Sequence, residues 1–143
     1  MRARIGIALI VALTAASPAA GEDRAFSKAH ATLLTEGYVG QPLWSLLAGC
    51  AGAHGAAHAY HAQRASQPRA EAAKAAGARY LNLAVDRLVA DRGLAREAAL
   101  EMTLPALEAG RLEGAKALAY PRKHEGLRWL SLKTSCEEIA VGA

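Results

Sequence analysis

Three histidines follow a cysteine at helical intervals, and this is the one pattern in the chain that could carry chemistry. Cys50, His54, His58 and His61 are separated by steps of four, four and three residues. At 100° per residue their side chains fall within about 80° of arc on one helix face. Imidazoles one turn apart can chelate zinc, copper or nickel, because their nitrogens converge on a point beside the helix. His54, His58 and His61 are therefore the candidate metal ligands, with His30 or His124 as a further donor from a neighbouring element. The competing reading is packing. His54 and His61 flank an apolar stripe, no acid lies among the three to orient them, and the His-x-Glu and His-Glu-x-x-His patterns of zinc enzymes are absent.

The two cysteines, Cys50 and Cys136, bear directly on that choice. An even count in an exported chain favours a disulfide, and a disulfide-bonded Cys50 cannot supply a thiolate to a metal. Each cysteine follows a tryptophan on its own predicted helix, Trp44 and Trp129. A redox-active pair would be expected as Cys-x-x-Cys near a helix N-terminus. These two lie mid-helix and far apart, so the expectation is a structural staple.

Other chemistries find less support. Covalent haem attachment needs Cys-x-x-Cys-His, and Cys50-Ala-Gly-Ala-His54 lacks both the second cysteine and the adjacent histidine. Met102 is the one methionine besides Met1, which leaves little for axial ligation of a haem. No Gly-x-Ser-x-Gly elbow and no phosphate-cradling glycine loop occurs. Glu97/Glu101 and Glu137-Glu138 fit solvated helix faces. No catalytic residue is assigned, and no cofactor is expected.

The elements that must position these residues are helices. Alanine dominates, β-branched residues are sparse and no Asn-Gly or Asp-Gly turn occurs. Proline and glycine punctuate the chain into segments. A first helix is predicted from Arg24 to Glu36, stopped by Gly37, and a second from Pro42 to Ala65. Ser66-Gln67-Pro68 opens a third, which Gly93 ends. A fourth begins near Leu94, where Pro105 should kink or split it and Gly110 and Gly114 weaken its continuation. Tyr120 to His124 reads as a loop, and the last helix covers Glu125 to Ala140.

Apolar stripes at helical spacing mark the candidate core. They comprise Leu43, Leu46, Leu47 and Cys50; Tyr80, Leu81, Ala84, Val85 and Leu88; and Trp129, Leu132, Cys136 and Ile139. Past Cys50, the small residues Gly52, Gly55, Ala56 and Ala59 should let another helix approach closely, in a core lean in large side chains. The predicted architecture is an all-α, up-and-down bundle of four or five helices with short connections, stapled by one disulfide.

The N-terminus indicates where the bundle works. Arg2 and Arg4 precede the aliphatic run Ile5 to Leu13, and small residues follow to Ala20. This is the layout of a secretory signal peptide, with Ser17 and Ala19 at −3 and −1 for cleavage after Ala19. The run is too short for a stable membrane anchor, which needs about 20 residues. Leu46-Leu47-Ala48-Gly49-Cys50 also spells a lipoprotein box. It lies far beyond a complete signal and within a helical pattern, so it is taken as coincidence.

Removing residues 1–19 from the 143 leaves one domain of 124, residues 20–143, with 15 basic and 13 acidic side chains. Basic and acidic residues interleave, which argues against a nucleic-acid or membrane-binding surface. The expected protein is periplasmic or secreted. It would be a non-catalytic structural, accessory or interaction module with a protein partner, the alternative being a metal-binding protein using the histidine face.

Overall fold

The computed structural model describes residues 21–119 and 122–143. The expected leader, residues 1–19, lies outside them. Four α-helices follow an N-terminal strap: α1 (Leu43–Gln63), α2 (Gln67–Arg92), α3 (Arg96–Ala119) and α4 (Arg122–Val141). The all-α bundle is as expected, with four α-helices among the described residues.

Short connectors join successive helices. Pro42 caps α1, and Pro68 sits in the first turn of α2, where a missing N–H is harmless. Gly93 ends α2 in the left-handed region at φ 64°, and its N–H bonds the Val89 carbonyl. This φ suits glycine, which has no Cβ to clash.

The predicted first helix, Arg24 to Glu36, does not form. In its place are two single 3₁₀ turns, Lys28–His30 and Glu36–Tyr38, and an antiparallel bridge between Ala25 and Pro42. The reason lies in the hydrogen bonds. Phe26 N–H donates to the Gln41 carbonyl, Gly40 N–H to the Phe26 carbonyl, and Leu43 N–H to the Arg24 carbonyl. These groups are therefore satisfied by the entrance to α1 and not by a helix of their own. Thr32 and Thr35 reinforce the choice. Their hydroxyls both donate to Glu138 on α4, at 2.7 and 3.1 Å, while Thr35 Oγ1 accepts the Thr32 N–H. Side chains that bond the nearby backbone compete with helix formation. The strap is pinned further by Phe26, 1% exposed in the core, and by a two-pronged Asp23–Arg92 ion pair with both contacts at 2.7 Å.

Two other boundaries differ from expectation. Helix α3 runs on through Pro105. A proline ring removes one donor and crowds the preceding turn, but packing against α1 on the C-terminal side holds this helix together. Its Gly110 and Gly114, expected to weaken it, are where α1 approaches. Helix α4 starts at Arg122, inside the predicted loop Tyr120 to His124.

Helix α1 is the central element, flanked by α2 and α3. Its buried side chains are Leu43, Leu47 and Cys50 and then, toward its C-terminus, alanines, Gly52 and His54. Tyr80, Ala84, Val85 and Leu88 complete the core from α2, and Cys136 and Ile139 from α4. Among the fully buried side chains only a few are large, chiefly Tyr80, Phe26, Leu43, Leu47 and Leu88. Burial of apolar area contributes about 25 cal/mol per Å², so an alanine-rich interior gains less per residue than a leucine-rich one.

Candidate functional site

The histidine face of α1 is divided among three environments. His54, 4% exposed, lies inside the bundle with its ring stacked on Tyr80 at 5.2 Å and edge-on to Trp129 at 5.3 Å. Its Nε2 is buried and has no hydrogen-bond partner. His58 turns toward α2, with Nδ1 2.9 Å from the Ala70 carbonyl. A carbonyl can only accept, so Nδ1 carries the proton and the contact ties the end of α1 to the start of α2. His61 packs edge-on against Tyr60 at 5.3 Å. His30 sits on the strap with Nδ1 3.0 Å from Ser27 Oγ, and the side chain of His124 lies outside the described residues.

These three imidazoles share a helix face but not a focal point. Among the described residues, no three His, Cys, Asp or Glu side chains are grouped so as to hold a metal ion. Helical spacing places side chains on one face, whereas each ring here has taken the contact nearest to it. Isothermal titration with zinc, copper and nickel is expected to show no tighter binding to the parent than to a His54→Ala/His58→Ala variant. Loss of a sub-micromolar site in the variant would refute this.

Burial sets the protonation of His54. Desolvation, followed by the positive charges of Lys133 and Arg79, lowers its pKa from 6.5 to about 4. The ring is neutral at pH 7. Burial, then Arg69 and Arg64, also holds His61 below the usual imidazole range. A depressed histidine pKa means that the unfolded chain binds more protons than the folded one between pH 6.5 and 4. Stability is therefore full above pH 6.5 and falls as the pH drops toward 4, by up to about 3 kcal/mol at 1.36 kcal/mol per pKa unit. Urea unfolding at a series of pH values should show this acid limb in the parent and a flatter one in His54→Leu. Equal slopes in the two proteins would disprove the assignment.

Cys50 and Cys136 are joined, with Cα atoms 5.6 Å apart across 86 residues of sequence. The bond links the middle of α1 to α4, and both residues are almost fully buried. The sulfur of the Leu-Ala-Gly-Cys sequence is thus occupied within the folded domain. Beside the disulfide, a cavity of about 320 Å³ opens between α1, α3 and α4, bordered by Tyr38, Leu46, Gly110, Glu113 and Leu132.

A larger cleft of about 500 Å³ is bounded by α1, α2 and α4. His54 and His61 form one wall, Arg69 and small alanines of α2 another, and Trp129 and Lys133 of α4 the third. The histidines and Trp129 are legible as candidates in the sequence, whereas Arg69 and Lys133 are not. The one available signal was that Trp129 and Lys133 stand four residues apart, on one face of α4. Comparison with family models, curated proteins and solved structures finds no match to this chain.

Proposed function

We propose that the protein is exported by a leader cleaved after Ala19 and acts, in a periplasm or outside the cell, as a non-catalytic structural or accessory module. The observation that carries this reading is the buried Cys50–Cys136 disulfide, since such bonds persist in oxidising compartments and are rare in reducing ones. Two further features support it. The N-terminal sequence has the charge and apolar layout of a cleavable signal. Among the described residues, no helix is long and apolar enough to cross a membrane.

The test is the intact mass of protein recovered from its native host after cell fractionation. Export predicts a chain beginning at Ala20, found outside the cytoplasm, and about two daltons lighter than its reduced form. A chain that retains residues 1–19 and free thiols in the cytoplasmic fraction would overturn the proposal. Affinity capture from the same extracytoplasmic fraction then tests the accessory role. A reproducible protein partner is expected, and repeated recovery of the bare chain would count against it.

A further inference from the structure

The cleft between α1, α2 and α4 has two cationic side chains in its lining. Five basic side chains elsewhere are in ion pairs: Arg87 with Asp91, Arg92 with Asp23, Arg96 with Asp86, Arg111 with Glu108 and Lys116 with Glu113. The cleft is bordered by Arg69 and Lys133, and neither has an ion-pair partner among the described residues. No described residue lining it is acidic. Two cations facing a concavity without a counter-charge create a site of positive potential, which low-dielectric walls intensify.

The remaining walls define what else would fit. Ala57, Ala72, Ala73 and Ala76 provide a shallow apolar floor, and half-buried Trp129 stands at one side. At about 500 Å³ the volume falls in the range of small-ligand sites, which are mostly apolar with a few convergent polar groups. His54 adds an independent observation. It lines the cleft, it is 4% exposed, and its Nε2 is a buried polar atom with no partner. Buried polar atoms are nearly always paired, by protein, water or ligand.

We propose that this cleft binds a small organic carboxylate. The carboxylate is held by Arg69 and Lys133, with His54 Nε2 as a hydrogen-bonding partner, and the apolar body rests on the alanine floor beside Trp129. Guanidinium and ammonium groups both make charge-assisted bonds to carboxylates, and the planar guanidinium can do so with two parallel N–H donors. The inference rests on the cleft alone and does not depend on export or on the disulfide.

The oxidised, leaderless protein is titrated with benzoate and hexanoate, with benzamide as the uncharged counterpart of benzoate, and with inorganic phosphate. Side-chain NMR resonances of His54 and Trp129 report occupancy. At least one carboxylate should shift both saturably, with benzamide and phosphate each about tenfold weaker or worse, equivalent to 1.4 kcal/mol. An Arg69→Gln/Lys133→Gln variant should lose about tenfold or more in carboxylate affinity, while Lys116→Gln keeps the parental value. Arg69 and Lys133 are exposed, so their replacement leaves the core intact. Saturation by neither carboxylate, equal binding of benzamide, or unchanged affinity in the double variant would each overturn the proposal. Phosphate binding as tightly as the carboxylates would refute the organic body. All of these outcomes leave the cleavage and oxidation state measured for export untouched.

Discussion

The Cys50→Ala/Cys136→Ala protein is expected to lose about 4–5 kcal/mol of unfolding free energy, as the chain-entropy treatment gives for a closed loop of 86 residues. That is a large fraction of the 5–15 kcal/mol typical of a whole domain. Two features of this bundle make it sensitive to that loss. Its interior is built largely of alanine, so apolar burial leaves a small margin. Also, α4 packs less extensively on the bundle than α2 and α3 pack on α1. The disulfide is the covalent tie between α4 and the central helix. Loss of the tie should therefore release α4 before the rest unfolds, and amide exchange in α4 should accelerate ahead of that in α1 and α2. Denaturant unfolding of the two proteins gives the free-energy difference. A loss below about 1.5 kcal/mol would show that packing alone secures the helix.

Adding a single methyl group at Gly52 or Gly110 is expected to destabilise the protein by about 2–3 kcal/mol, within the range for overpacked interiors. A Cβ on Gly52 would run into the Leu107 carbonyl and the Arg111 amide of α3, and one on Gly110 into the Gly49 backbone of α1. Gly114 is similar, with a Cβ 2.7 Å from Ala53 Cα. The obstacles are backbone atoms in packed helices, so neither side can yield without moving a whole helix. Gly55 supplies the control on the same helix. It is exposed, and nothing lies within 4 Å of its would-be Cβ. Gly55→Ala should raise stability by about 0.5–1 kcal/mol, since alanine is the better helix former. Thermal and denaturant unfolding of Gly52→Ala, Gly110→Ala and Gly55→Ala compare the two effects directly. If Gly52→Ala were as stable as Gly55→Ala, the close approach of α1 and α3 would be wrong.

These glycines show how far local sequence can be followed. The small residues after Cys50 indicate that some helix approaches closely, but not which of them it meets. Gly52 meets α3, whereas Gly55, Ala56 and Ala59 lie partly or wholly exposed. On α3, Gly110 and Gly114 have the local signature of a weak helix, because glycine disfavours helix when only its own turn is considered. Contact with Gly49 and Ala53 reverses their meaning.

What the sequence by itself determined is what depends on neighbours within a few residues. The punctuation by Pro42, Pro68 and Gly93 acts through fixed φ, a missing donor and a left-handed cap, and all three hold where they were expected. The core stripes on α1, α2 and α4 follow from helical periodicity, and the Cys50–Cys136 pairing from there being two cysteines to pair. Tertiary structure decided the rest. Residues 24–36 are a strap and not a helix because their polar groups find partners at the entrance to α1 and on Glu138, more than a hundred residues away. The histidines diverge because Tyr80, Trp129 and the Ala70 carbonyl, all on other helices, claim His54 and His58 one by one. Arg69 and Lys133 border one cleft because α2 and α4 both lie against α1. Periodicity assigns a side chain to a face, and only packing between helices assigns that face a neighbour.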